Sequence, residues 1–232
     1  MNNKYYLGID IGGTKSAVIA GRENMEILER ISFPTETLKG PSHAINLLLK
    51  SATSIIEKLG LQGLQSVGIS CGGPLDSRKG IIQSPPNLPG WDNIPIVKLF
   101  TDEFKVPAYL QNDANACAMA EWKFGAGKGT QNMVFLTFGT GMGAGIIING
   151  KIYSGTNDLA GEVGHIRLAD DGPEAYGKKG SFEGFCSGTG IALIAKKMIT
   201  EKLELKEKIS FCSKVEDADK LSTKDIAEAA VK

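Results

Sequence analysis

The stretch FLTFGTGMGAGIIINGKIY, residues 135–153, sets five glycines in and between runs that read as strands. Glycine costs a strand both packing and chain entropy. The usual reasons to keep it are a turn with positive φ or a group that approaches the main chain closely. A second stretch, YYLGIDIGGTKSAVIAG at residues 5–21, has the same form. An apolar strand ends at Asp10, passes Gly12, Gly13 and Thr14, and resumes as a strand at 16–20. Two glycine-broken strand pairs, each followed by helical segments, predict an α/β fold of two related halves facing each other across a cleft.

Working outward, strands are expected at 5–10, 15–20 and 26–32. PSHAINLLLKSATSIIEKLG, from residue 41, repeats its apolar residues Ile45, Leu48, Leu49, Ala52, Ile55, Ile56 and Leu59 at helical spacing, with Gly60 as the stop. A strand follows at 65–70, then the turn CGGPLDSRKG and the proline-rich loop SPPNLPGW at 84–91. A short helix at 95–104 and a strand at 106–110 complete a half spanning 1–111. The pattern restarts in a half spanning 112–232. There a helix over 112–125 is capped by Asn112 or Asp113, and strands are expected at 133–138, 143–149 and 151–153, with Asn149-Gly150 as a tight turn. Helices follow at 188–203 and from 222, where Ser222 and Asp225 fit a capping box.

Two familiar phosphate-binding templates fail on context. The P-loop needs G-x-x-x-x-G-K-[ST] leading into a helix, but β-favouring AVIA follows GIDIGGTKS. Gly139, Gly141 and Ala144 meet the dinucleotide spacing, yet that fingerprint opens a helix and GIIINGKIY is a strand and hairpin. What remains is a strand–turn–strand whose backbone N–H groups form an anion-holding nest. Bare backbone at Gly12, Gly13, Gly141 and Gly143 would let phosphates close, and Thr14 and Thr140 could add hydroxyl donors. Two ordinary hairpin turns fit the same letters.

Lys+Arg and Asp+Glu are each 26, so the net charge of zero argues against a nucleic-acid or membrane-surface binder. No run approaches the roughly 18 apolar residues of a membrane span and no signal peptide is visible. Cys71, Cys117, Cys186 and Cys212 form no C-x-x-C pair, which suits reduced thiols and a cytoplasmic protein.

LGIDIGGTK, QNDANA, FGTGMGAGI and AGEVGH, in this order, closely resemble the motifs of the ROK family (repressors, open reading frames and kinases), and SPPNLPGW is typical of it. The resemblance implies the actin-like, ribonuclease H-like ATPase fold. It also implies an ATP-dependent sugar kinase of glucokinase type, taking a hexose or N-acetylhexosamine and assembling as a homodimer or homotetramer. Gly12, Gly13, Thr14 and Lys15 on one side and Thr140, Gly141 and Gly143 on the other would embrace the ATP phosphates. Asp10 would stand near Mg²⁺, through water.

Asp113 is the candidate proton acceptor. It follows the strand VPAYLQ at a helix N-terminus, whose dipole favours a carboxylate anion, and the hydroxyl proton need leave only late in phosphoryl transfer. A plain N-cap would look the same from the residues alone. Asn112 would hydrogen-bond the sugar. In the resemblance Glu162, His165 and Glu183 also line the sugar, with Gly73 and Asn87 across from them; unpaired polar groups there would penalise the wrong ligand.

Two departures stand out. Most of the family binds zinc through the GH histidine and the cysteines of C-x-C-G-x-x-G-C-x-E. Here the loop reads EAYGKKGSFE, with Glu174, Tyr176 and Ser181 at the cysteine positions. A structural zinc site closes four ligands and only His165 survives, so no zinc is expected. The second half also looks incomplete, lacking the adenosine-contacting turn and the helix that returns to the first domain. Two alternatives to a kinase stay open: a sugar-sensing regulator and a non-catalytic sugar-binding remnant.

Overall fold

In the first strand, β1 (Tyr5–Ile11), residues 5, 7, 9 and 11 are buried and 6, 8 and 10 face outward. This is the two-residue period of a pleated strand covered on one side. The structure, a computed structural model, describes residues 4–139 and 141–231. After β1 come β2 (Lys15–Gly21), β3 (Ile27–Pro34), α1 (Pro41–Leu59), β4 (Leu64–Cys71), β5 (Leu75–Asp76), β6 (Ile81–Ile82), α2 (Ile96–Phe104), β7 (Ala108–Asn112) and α3 (Asp113–Phe124). The chain continues through β8 (Met133–Phe138), β9 (Met142–Ile148), β10 (Lys151–Ile152), β11 (Glu174–Ala175), β12 (Lys178–Lys179), α4 (Phe182–Cys186), α5 (Gly188–Glu204), α6 (Val215–Ala218) and α7 (Thr223–Ala230).

The main sheet has the order β3-β2-β1-β4-β7. β2 runs antiparallel to β1 and β3, whereas β1, β4 and β7 are parallel. Parallel neighbours need crossovers, which α1 and α2 provide. α1 buries Ala44, Ile45, Leu48, Ala52, Ile55 and Ile56, and Gly60 ends it at φ 86° with its N–H on the Ile56 carbonyl. Leu49 and Leu59, expected on the same stripe, are partly buried against the core. Phe100 and Phe104 of α2 and the fully buried Trp91 and Leu88 complete that core, all of which lies between residues 5 and 110.

The chain forms two compact units, 1–133 with 145–160, and 134–144 with 161–232. We propose that the chain also divides into two related halves at 111/112. In the first unit, α3 lies against β9. A methyl group on Gly145 would meet the Ala114 carbonyl at 2.5 Å and the Ala118 Cβ at 2.4 Å, so only glycine fits. In the second unit, α4 and α5 are each capped by a serine: Ser181 Oγ accepts from Gly184 N and Ser187 Oγ from Gly190 N. The Ser222–Asp225 capping box forms as expected.

Several boundaries move. The strand expected at 106–110 lies at Ala108–Asn112, and that at 151–153 shortens to Lys151–Ile152. CGGPLDSRKG, expected as a turn, carries the β5–β6 hairpin. The β11–β12 hairpin and α4 lie in a segment with no apolar period. No helix among the described residues is long and apolar enough to cross a membrane, and the four cysteines are free.

Candidate active site

The carboxyl ends of the three parallel strands lie side by side. Asp10 pairs in register with Ser70, Cys71 with Asn112, and Ser70 with Gln111. Ligand sites in open α/β sheets form beyond such strand ends. β7 passes directly into α3 there. Asn112 is the N-cap, its Oδ1 accepting from Ala114 N at 3.0 Å and Asn115 N at 3.3 Å. Asp113 is therefore the first helical residue rather than the cap, with Oδ1 accepting from Ala114 N at 2.8 Å.

The turn after β4 faces this corner. A methyl group on Gly72 would stand 3.8 Å from both amide atoms of Asn87 and 3.9 Å from Asp113 Oδ2, and one on Gly73 would stand 3.6 Å from Asn112 Nδ2. Gly73, Asn87, Asn112 and Asp113, predicted from separate parts of the sequence, thus come together in the first unit.

Asp10 is close enough to feel Asp113. Desolvation raises its carboxyl above the usual range, a hydrogen bond from Ser70 lowers it, and the Asp113 charge raises it again. The same pair of carboxylates, after the larger effect of burial, pushes the Cys71 thiol up to about 12. Cys71 is thus an inert packing residue at neutral pH. Two neighbouring oxygen-donor carboxylates fit a hard divalent cation, since Mg²⁺ takes one or two carboxylates plus substrate phosphates.

The first glycine turn is held by the protein itself. Gly12 and Gly13 lie outside the left-handed region. A methyl group on Gly12 would meet the Lys15 carbonyl at 2.7 Å, and one on Gly13 the Asn87 carbonyl at 2.6 Å. Close approach, one of the two expected reasons, accounts for both: the Lys15 carbonyl approaches Gly12 and the Asn87 loop approaches Gly13. Thr14 and Lys15 are exposed. Thr35, fully buried, donates its N–H to the Thr14 carbonyl at 3.0 Å and its hydroxyl to the Gly12 carbonyl at 2.6 Å. Sequence reasoning missed Thr35, and also Asn115. The Asn115 amide, 1% exposed, donates to Gln111 Oε1 and Ser154 Oγ at 3.1 and 3.3 Å.

In the second unit Gly139 N–H donates to the Gly141 carbonyl at 2.9 Å, closing the second glycine turn. Thr140 lies outside the described residues; Gly143 sits within β9. Glu183, 9% exposed, accepts from Met142 N through Oε2 at 2.8 Å, and a methyl group on Gly141 would meet that oxygen at 2.9 Å. Glu162 precedes and His165 ends a 3₁₀ turn over Val163–His165, Oε2 to Nε2 3.8 Å, each about half exposed. Between them Gly164 packs on Glu183: a methyl there would lie 3.2 Å from its Cβ. Gly141, Glu174, Tyr176, Glu183 and Ser187 help line a cavity of about 310 Å³.

The three positions expected to have lost cysteines do other work. Ser181 is buried and caps α4, Glu174 pairs in the β11–β12 hairpin, and the Tyr176 ring lies 5.7 Å from that of His165. Among the described residues no group of three or more His, Cys, Asp or Glu side chains could hold a metal ion. Elemental analysis of the purified chain is expected to find no stoichiometric zinc, and a chelator should leave its melting temperature unchanged. One zinc per chain would overturn the alignment of this loop.

A five-stranded sheet of this order, with a carboxylate at the end of β1 and another where β7 enters α3, is the architecture of the actin-like ATPases. The ROK family pattern matches residues 6–232, and the chain belongs to that family. It is 34% identical over 242 residues to the glucokinase of Halalkalibacterium halodurans, covering 99% of this chain and 69% of that protein. Among solved structures, it superposes with a TM-score of 0.75 and 30% identity on a ROK family glucokinase from Streptomyces griseus in complex with glucose and AMPPNP, covering 97% of this chain and 70% of that one. A ROK family transcriptional regulator, a homologue of the E. coli MLC protein, matches in fold with a TM-score of 0.82 at 22% identity, covering 99% of this chain and 56% of that one. Against relatives named as sugar kinases the chain spans between 58% and 69% of their length.

Proposed function

We propose that this chain is the sugar- and phosphate-handling part of an ATP-dependent cytoplasmic sugar kinase that transfers the γ-phosphate to a hexose or N-acetylhexosamine hydroxyl. The observation that carries it is the corner where Asp113 opens α3 beside Asn112, Asn87 and Gly72–Gly73, close enough to Asp10 for its charge to raise the Asp10 carboxyl. Two carboxylates there can divide the work. Asp113 accepts the hydroxyl proton of a sugar held by Asn112 and Asn87, and Asp10 faces the nucleotide's cation. The division of titratable groups into different roles by environment is the usual sign of acid–base chemistry.

When bound, Mg²⁺ supplies charge neutralisation on the phosphates. Asp10, hydrogen-bonded by Ser70 at 3.3 Å, would hold it through water, and Gly12, Gly13, Thr14, Lys15, Thr140, Gly141 and Gly143 would hold the phosphates. Glu183, by fixing Met142 N, keeps the second glycine turn in shape, and Glu162 and His165 face the sugar. The S. griseus glucokinase, solved with glucose and AMPPNP, supports nucleotide and hexose as ligands here. A homodimer or homotetramer in solution belongs to the same proposal.

Sugar-dependent ADP release, measured with glucose, mannose, fructose, N-acetylglucosamine and N-acetylmannosamine in competition, tests it. Saturable turnover with one of them is expected. Saturable sugar binding with no ADP release would favour the sugar-sensing regulator or the non-catalytic remnant instead, the former a reading kept open by the likeness in fold to the ROK transcriptional regulator.

Asp10 gives a prediction of opposite signs. Its folded-state carboxyl is raised, so above the carboxylate range its ionised form costs the folded state and stability falls as pH rises through that value. Asp10→Asn is therefore expected to raise the melting temperature at pH 7, with the gain fading as pH drops through the carboxylate range. Mg²⁺-dependent nucleotide affinity should fall in the same variant. A lower melting temperature at pH 7 would show that Asp10 is a structural anchor.

A further inference from the structure

Residues 175–178 turn the β11–β12 hairpin with two residues, Tyr176 at φ 49° and Gly177 at φ 68°. Two positive φ values in succession suit a type I′ turn, where Asn, Asp or Gly normally stand. An aromatic residue in the left-handed region is uncommon and strained. Tyr176 is 69% exposed, so burial does not explain its presence either. What the residue does touch is His165, ring centroid to ring centroid 5.7 Å with planes at 53°. The same hairpin holds the histidine's main chain: Lys178 Nζ donates to the His165 carbonyl at 2.6 Å. Glu162 Oε2 lies 3.8 Å from Nε2. Tyr176 also lines the cavity that Gly141 and Glu183 share.

Resting on the assignment of His165 to the sugar, we propose that Tyr176 is a positioning residue: its ring sets the orientation of the His165 imidazole toward the hydroxyl-bearing ligand, while Lys178 fixes the backbone beneath it. The strained turn is kept for the contact that the Tyr176 ring makes with the imidazole. Affinity and stability then pull in opposite directions at residue 176, since Asn suits the backbone better and lacks the ring.

The test uses the 232-residue chain with Tyr176→Asn, Tyr176→Phe and His165→Ala. The chain has two histidines, so two imidazole resonances are expected, and His165→Ala identifies the relevant one. Tyr176→Asn should leave the melting temperature unchanged or higher, move the His165 resonance, and weaken glucose binding by calorimetry about three- to tenfold, the worth of an aromatic pair. Tyr176→Phe should match the unsubstituted chain in all three. An unmoved His165 resonance in Tyr176→Asn, a fall in melting temperature, or a Phe variant as weak as the Asn one would each overturn the proposal. If His165→Ala leaves glucose affinity intact, the sugar-facing assignment fails, while the resonance shift still reports whether Tyr176 orients the ring.

Discussion

Asp113→Asn is expected to keep the fold and sugar binding while turnover drops by about 10²–10⁴-fold, the usual contribution of a general base and equivalent to about 2.7–5.5 kcal/mol of transition-state stabilisation. The structure explains why the fold should survive. Asn112, not Asp113, caps α3, so the substitution removes no cap. An amide oxygen can still accept from Ala114 N, as the carboxylate does at 2.8 Å. Losing one negative charge in the first helical turn costs about 0.3–1 kcal/mol, and relief of the repulsion with Asp10 acts the other way. Circular dichroism, sugar calorimetry and ADP release on the same preparation separate these effects. Undiminished turnover would remove Asp113 from the chemistry, and loss of sugar binding with intact fold would make it a binding group.

Trp91→Ala is expected to cost about 3–5 kcal/mol, the range for emptying a buried aromatic site. At about 2–4 °C per kcal/mol for a chain of this size, the melting temperature should fall by roughly 6–20 °C. Trp91 is completely buried, and its indole N–H has no hydrogen-bond partner, so the ring contributes through packing alone. Its backbone closes the loop that carries Asn87: Trp91 N donates to the Leu88 carbonyl at 3.2 Å and Ser84 N to the Trp91 carbonyl at 2.9 Å. That loop in turn presses on Gly13. Sugar affinity is therefore expected to weaken beyond what the unfolded fraction explains. Trp91→Phe, which leaves a smaller void and no unpaired donor, should lose less than half as much. A melting temperature for Trp91→Ala within about 2 °C of the parent would show that the loop is anchored elsewhere.

Much of the first unit was legible because its strands and helices carry strong periods. β1 alternates, α1 shows a clear apolar stripe, and both end at glycines that do what glycines do at ends. The meeting of Gly73, Asn87, Asn112 and Asp113 was visible only through the family resemblance, since no local pattern links the proline-rich loop at 84–91 to a helix that starts at Asp113. Thr35 and Asn115 were missed for a related reason. Each is a buried polar side chain whose partners lie in other elements, and a lone Thr after Pro34 or a second Asn in NDANA carries no period. The β11–β12 hairpin escaped because its turn signal is disguised: a Tyr stands where Asn or Asp would announce a type I′ turn. Glu183 was expected at the sugar from the resemblance; the structure has it bracing the second glycine turn through Met142 N, a duty no spacing rule could have assigned.

The first unit is discontinuous in sequence, and this has a consequence for the order of events during synthesis. Its main hydrophobic cluster runs from Tyr5 to Leu110, whereas its last segment, 145–160, ends fifty residues later. At the usual 5–20 residues per second of translation, that interval lasts about 2–10 s. Throughout it a nascent chain holds every residue of that cluster but lacks the complete strand whose Gly145 lies on Ala114 and Ala118, so the face of α3 next to the Asp113 corner is the last part of the unit to find its cover.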